Sequence, residues 1–367
     1  MADRIRVGIV GATVTQGGSG WGANAHVPAL RALPEFELKA VCTAHRETAE
    51  ASREAFGAEL AFHDINDMVA HPEIDLVAVC VRAPGHFALA KPALEAGKDT
   101  FCEWPLGANL AEAEELAAMA RARGLRTLVG LQGRSDPVIA YARELVAEGY
   151  IGDVLAVHLT SIAPAIIERG PGRIWQAERA AGANTLTIQG GHAIDDLCYI
   201  AGEFATVSAR LATKVPEWRL EGSGERVPVT SPDSIIVAGQ LVNGAEAAVH
   251  IATVPRNASG TRLEIFGSEG ALAVRPSGSL SIGPNALFGA RGGARMEEMP
   301  VPERFTLIPE GAPAGSPRNV AQAYAALAEG ARRGTGFAPS FDDAVVRHRL
   351  LDAIERSSAE GRAIALG

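Results

Sequence analysis

The first third of the chain alternates short apolar runs with helical repeats, and this alternation constrains the fold more than any other feature. Arg4–Val10, Phe36–Cys42, Leu76–Val81, Thr100–Cys102 and Thr127–Gly130 are rich in Val, Ile and Leu without strict two-residue alternation. Strands buried on both faces read this way. Between them, Thr48–Phe56, His86–Ala96 and Leu110–Arg123 carry helical spacing; in the last, Leu110, Ala113, Leu116, Ala117 and Ala120 share one face. Strand, helix, strand in repetition implies right-handed crossovers, so an α/β domain with a doubly wound parallel sheet is expected over residues 1–133.

Past Gly133 the pattern changes. Pro137–Glu148 predicts a helix in which Ile139, Ala142, Arg143 and Val146 recur at three- and four-residue spacing, stopped by Gly149. Longer strand-like runs follow: Val154–Ser161, Thr206–Leu211, Ser234–Leu241, Ala247–Val254, Arg262–Phe266 and Ala271–Val274, the last two joined by a turn at Gly267–Gly270. Strands without regular intervening helices predict a C-terminal α+β domain, residues 134–367, with an open, mainly antiparallel sheet. Ile282–Pro317, heavy in Gly and Pro, reads as a surface excursion. Helices near Val320–Arg332 and Asp342–Ser357 close the chain, and the last can pack back on the first domain. Alternation in Ser234–Ala238 and Ala247–Ile251 predicts an uncovered apolar face, hence a homo-oligomer, most simply a dimer.

A length of 367 residues suits two domains with separate cores. The formal net charge of −9, with no run of Lys or Arg, argues against nucleic acid and acidic membrane surfaces as partners. No apolar stretch is long enough to span a bilayer, and no signal-like core follows Met1. Cys42, Cys80, Cys102 and Cys198 lie inside apolar runs without metal-like spacing. They read as buried thiols of a cytoplasmic protein, with no metal site.

Val7-Gly8-Ile9-Val10-Gly11 ends a strand in glycine at the position where a dinucleotide pyrophosphate approaches. The following helix start offers free N–H groups. The usual compact glycine turn is interrupted by Ala12–Ser19 and resumes at Gly20-Trp21-Gly22-Ala23-Asn24. Gly11, Gly20, Trp21 and Asn24 are therefore candidate cofactor contacts in a Rossmann-type domain. After the second strand, Thr43 stands where an acid would hold the ribose 2′-hydroxyl, and His45 and Arg46 can meet a 2′-phosphate. These residues point to NADP rather than NAD.

Several segments, in order, resemble the glucose–fructose oxidoreductase/inositol dehydrogenase (Gfo/Idh/MocA) family. They are the glycine turn, Ala83-Pro84-Gly85-His86, Glu103-Trp104-Pro105 and Gly190-Gly191-His192-Ala193-Ile194-Asp195. Glu103-Trp104, Leu131-Gln132-Gly133-Arg134, Ala142–Asp153, and Arg226-Val227-Pro228 with Pro232-Asp233 resemble the branch that carries the fungal galactose-regulon repressor. The resemblance implies cofactor contacts at Pro84, His86, Glu103 and Arg134. It implies catalytic roles for His192 and Glu103. Asp195, three residues on, shares a helix face with His192 and can orient its imidazole. Trp104 and, from the loop before His192, Arg173 and Trp175 are candidates for lining the substrate side. Two positions depart from the family. Trp104 replaces its catalytic lysine, and Ile188 replaces an aspartate one turn before His192. An indole donates one N–H and carries no charge. Trp104 is then a stacking floor for a sugar, a plug, or a core residue.

Three functions fit these residues: an NAD(P)-dependent oxidoreductase acting on a sugar, polyol or related hydroxy compound; a non-catalytic NAD(P)- or sugar-sensing regulator; and a redox-neutral sugar-processing enzyme with bound cofactor. The first is the leading expectation.

Overall fold

The computed structural model describes residues 4–14, 20–164 and 167–367, and the chain divides into two compact units. The first comprises residues up to 131 together with 307–348; the second comprises 132–306 and 349–367. The sequence reading placed the whole of 134–367 in the second domain, apart from a closing helix. Residues 307–348 instead belong to the first unit.

The first unit is built on a six-stranded sheet of β1 (Ile5–Val10), β2 (Phe36–Cys42), β3 (Leu60–Phe62), β4 (Leu76–Val79), β5 (Asp99–Glu103) and β6 (Thr127–Gly130). Their order is β3-β2-β1-β4-β5-β6, with every pairing parallel. The order reverses between β1 and β4, the switch point beyond whose carboxyl ends open α/β sheets take their ligands. The connecting helices are α1 (Val27–Arg31), α2 (Arg46–Phe56), α3 (Ile65–Ala70), α4 (His86–Glu95) and α5 (Leu110–Arg123). Asn109 caps α5 by accepting from the Glu112 N–H, and Gly124 ends it at φ 64°. β3 and α3 are too short to leave a periodic signal in sequence.

In the second unit α6 (Pro137–Ala147) and α7 (Gly191–Ala201) accompany β7 (Val154–Pro164), β8 (Glu168–Arg169), β9 (Phe204–Ala212), β10 (Glu217–Leu220), β11 (Arg226–Pro228), β12 (Ser234–Leu241), β13 (Glu246–Val254), β14 (Gly260–Gly267), β15 (Gly270–Pro276), β16 (Asn285–Arg291), β17 (Glu297–Met299) and β18 (Ile364–Ala365). The large sheet runs β17-β16-β15-β14-β7-β13-β12-β9-β18; β8, β10 and β11 form a small one. In the large sheet β7 and β13 are parallel and the other neighbours antiparallel. α6 buries Val138, Ile139, Ala142 and Leu145 while Arg143 is exposed, so its core face is turned from the expected one.

α8 (Ser316–Arg333) lies in the first unit, and the division between units falls inside α9 (Phe341–Glu360), after His348. α8 carries Val320, Tyr324 and Leu327 into the same core as Val7, Ile9, Leu30, Val41 and Phe101.

Ile282–Pro317 lies largely at the surface, as expected, but it is not irregular throughout. It supplies the edge strands β16 and β17, and Ile308 is buried in the core of the first unit. Its glycines hid strands that exist because β15 offers a partner, a tertiary effect that outweighs local propensity. The alternation in β12 and β13 gives these strands one buried and one open face. Ile235, Val237, Val249 and Ile251 are buried, and the opposite face carries half-exposed Ile236 beside the exposed Ala238, Ala248 and His250. Among the described residues no helix is long and apolar enough to cross a membrane.

Candidate functional site

β1 leads directly into the switch point. Gly11 has φ 94°, and a Cβ there would lie 2.6 Å from the Cys80 carbonyl at the exit of β4. Only glycine takes that backbone in that space. A Cβ on Gly22 would lie 3.0 Å from Ala12 Cα and N, so the helical turn Gly22–His26 sits directly on the strand exit. Gly20, at φ 63°, accepts from the Asn24 N–H at 2.8 Å, and Trp21 precedes the turn. This close-packed glycine cradle fits a dinucleotide pyrophosphate. The middle of the predicted interruption, Thr15–Ser19, lies outside the described residues.

At the end of β2, the Thr43 hydroxyl donates to the His45 carbonyl at 3.0 Å and pairs with the Thr48 hydroxyl at 2.6 Å. The threonine thus shapes the turn, leaving His45 and Arg46 exposed at the start of α2. Pro84 is exposed, whereas His86 is buried. Its Nδ1 lies 2.6 Å from the Pro105 carbonyl and its Nε2 3.1 Å from the Val81 carbonyl. Two acceptors favour an imidazolium, but burial lowers the pKa of His86. The shorter contact identifies Nδ1–H as the donor of a neutral ring. His86 therefore clasps the turn after β5 to the exit of β4.

Glu103 ends β5 and is 8% exposed. Its Oε1 lies 2.8 Å from His26 Nε2, and His26 Nδ1 lies 2.9 Å from the Tyr324 hydroxyl. Gly130, at the end of β6, leaves room for this carboxylate: a Cβ there would sit 2.5 Å from Oε2. Trp104 is only 4% exposed, and its ring centroid lies 4.8 Å from that of His348. The ring is packed against α9, not displayed as a floor for a sugar. Burial, and then the neighbouring His86, push the His348 imidazole down to about 4, and its Nε2 is buried without a hydrogen-bond partner.

In the second unit, Asn184 caps a wide helical turn, Thr185–Gly190, that contains Ile188 and runs into α7. His192, the second residue of α7, is half-buried; Asp195 is 1% exposed. Arg134 forks onto Asp195, Nε to Oδ2 and Nη2 to Oδ1, both at 2.8 Å. Both carboxylate oxygens of the proposed His192 partner are thus engaged by a residue assigned from sequence to the cofactor. Gly133 makes the approach possible, since a Cβ there would lie 1.9 Å from Asp196 Oδ1. The Leu-Gln-Gly-Arg segment is in this way explained by the acidic pair of α7. Arg173 is exposed, and half-buried Trp175 donates its indole N–H to the Gly172 carbonyl at 2.9 Å.

His26, Tyr324 and His348 were not anticipated. His26 lies in an apolar stretch and Tyr324 is 298 residues away from it, so no local pattern marks them. The four cysteines are buried, and none is in a disulfide.

Comparison with known proteins agrees with this architecture. Residues 5–131 match the model of the oxidoreductase family with an NAD-binding Rossmann fold, and residues 137–276 match that of the Gal80p C-terminal domain. The chain is 29% identical to dehydrogenase aclE of Aspergillus oryzae, over 99% of its own length and 98% of that protein. It is 30% identical to the galactose/lactose metabolism regulatory protein GAL80 of Saccharomyces cerevisiae, over 66% and 59% of the two chains. It is 28% identical to levoglucosan dehydrogenase of Pseudarthrobacter phenanthrenivorans, over 70% and 71%. A solved levoglucosan dehydrogenase, in complex with NADH and levoglucosan, shares the fold at a TM-score of 0.86 and 24% identity, over 100% of both chains. Residues 5–131 belong to the Gfo/Idh/MocA oxidoreductase family with its NAD-binding Rossmann fold, and residues 137–276 to the Gal80p C-terminal type.

Proposed function

We propose that this protein is an NAD(P)-dependent oxidoreductase acting on a sugar, polyol or related hydroxy compound. The observation that carries the reading is the cradle at the switch point, where Gly11 and Gly22 bring bare backbone to the end of β1. Gly11, Gly20, Trp21 and Asn24 hold the dinucleotide there, with Pro84 and Glu103 further along the sheet edge. The bound nicotinamide supplies hydride exchange. His192 transfers the hydroxyl proton, and Arg173 and Trp175 line the substrate side. The relatives named as dehydrogenases support the class of reaction. Exposed Arg46 reads the 2′-phosphate, so Arg46→Ala weakens NADP more than NAD. Equal loss for both cofactors refutes that assignment.

The test is turnover of a panel of sugars, polyols and their oxidised forms, followed by nicotinamide absorbance. His192→Ala is expected to lower kcat by about 10²–10⁴ with dinucleotide affinity intact. Wild-type turnover by that variant refutes the proton-transfer role.

A second reading, a regulator that binds the dinucleotide without redox turnover, is favoured by two observations. Trp104 is buried at the family's lysine position, and Arg134 engages both oxygens of Asp195. Dinucleotide binding with no turnover across the panel selects this reading.

A further inference from the structure

Buried polar groups persist in a core when their hydrogen bonds are completed, and a completed chain of them holds a definite protonation pattern. The first unit contains such a chain. His26 is 0% exposed, Tyr324 0% and Glu103 8%. The Tyr324 hydroxyl lies 2.9 Å from His26 Nδ1, and His26 Nε2 lies 2.8 Å from Glu103 Oε1. The chain begins on α8, crosses the turn at the end of β1 and finishes on the last residue of β5, at the ligand edge of the sheet.

We propose that Tyr324 and His26 form a positioning relay that aims the Glu103 carboxylate at the bound dinucleotide, making both of them positioning residues for cofactor binding. The inference rests on the cofactor reading above and adds two residues that lie behind the site.

The direction of the relay follows from hydrogen-bond chemistry. An ionised carboxylate only accepts, so His26 Nε2 must carry a proton. A neutral imidazole with Nε2–H presents a lone pair at Nδ1, which needs a donor. Tyr324 supplies it, and burial keeps that hydroxyl protonated by raising its pKa well above the usual value. The ring of Tyr324 is itself fixed among Phe36, at 5.1 Å between centroids, and Phe101, at 5.2 Å. The other titratable groups coupled to this cluster are the Cys80 and Cys102 thiols, which burial keeps protonated, and His86, whose pKa burial lowers. Gly130 leaves the space in which the aimed carboxylate sits.

Removing the hydroxyl as Tyr324→Phe leaves Nδ1 a buried acceptor without a donor. The ring keeps Nε2–H toward Glu103, because a lone pair there would face the carboxylate. It is no longer pinned from its far side, so the carboxylate it holds loses its fixed aim. The variant therefore binds dinucleotide worse than wild type.

The experiment titrates NADH and NADPH, by nicotinamide fluorescence, into wild-type protein and Tyr324→Phe at a temperature where both are folded. The dissociation constant of the variant is expected to rise roughly 5- to 20-fold over wild type. A purely structural tyrosine would lower thermal stability and leave the affinity of the folded protein unchanged. The proton on the wild-type ring provides a second measurement that does not depend on folding of the variant. Histidine ¹⁵N spectra, assigned by His26→Gln, are expected to show a proton on Nε2. Wild-type protein that binds neither nucleotide overturns the cofactor reading and the relay with it. Wild-type binding with an unchanged dissociation constant for Tyr324→Phe, or a bare Nε2, overturns the relay alone.

Discussion

His348 makes the stability of this protein sensitive to mild acid. The imidazole is 6% exposed and packed against Trp104, and its Nε2 has no hydrogen-bond partner. Burial, assisted by the neighbouring His86, holds it at about 4 against an ordinary 6.5. In the unfolded chain the ring takes up a proton near 6.5, whereas in the folded protein it stays neutral until about 4. Between these values the unfolded state binds more protons, so stability falls as the pH is lowered through the window. At roughly 1.4 kcal/mol per unit, the loss from this one group is about 2 kcal/mol at pH 5 and about 3 kcal/mol below pH 4. His348→Phe keeps an aromatic ring beside Trp104 and removes both the titration and the orphaned nitrogen. At pH 7.5 the variant is expected to match or exceed wild type by up to about 1 kcal/mol. At pH 5 its advantage grows by about 2 kcal/mol. Urea denaturation followed by tryptophan fluorescence at the two pH values measures the difference, in which all other titrating groups cancel. Parallel losses of stability in the two proteins would refute the reasoning.

Three further outcomes follow from close contacts. Gly133→Ala drives a methyl against the buried Asp196 carboxylate, at 1.9 Å from Oδ1, and is expected to cost about 2–3 kcal/mol in denaturant midpoints. Gly130→Ala displaces Glu103 from a space 2.5 Å away; a loss of about 1–3 kcal/mol is expected, accompanied by weaker dinucleotide binding. Unchanged binding there would show that Glu103 is not aimed at the cofactor. Asp195→Asn removes the carboxylate charge onto which the Arg134 guanidinium, only 12% exposed, forks, and is expected to destabilise by about 3 kcal/mol. Arg134→Lys should not restore the fork, because an ammonium lacks its planar pair of donors.

The amino-acid sequence by itself determined the first unit as far as its long strands and helices. Runs such as Leu76–Val79 and the helical face of α5 are local patterns, read within a single element. It also determined the glycine at the end of β1, because a strand exit packed on its neighbour demands that residue type. The helix start on which His192 stands was legible for a similar reason. Only the tertiary structure decided which polar groups meet. Both oxygens of Asp195 accept from an arginine 61 residues away, a contact that no local pattern marks. Glu103 was read as a catalytic and cofactor residue from its own segment, and it also ends a chain whose members are 77 and 298 residues apart. The edge strands β16 and β17, and the return of residues 307–348 to the first unit, likewise depend on partners supplied from elsewhere in the chain. The physical reason is common to all of them. Hydrophobic periodicity is a property of one element, whereas the completion of buried hydrogen bonds and sheet edges depends on which distant element is brought alongside.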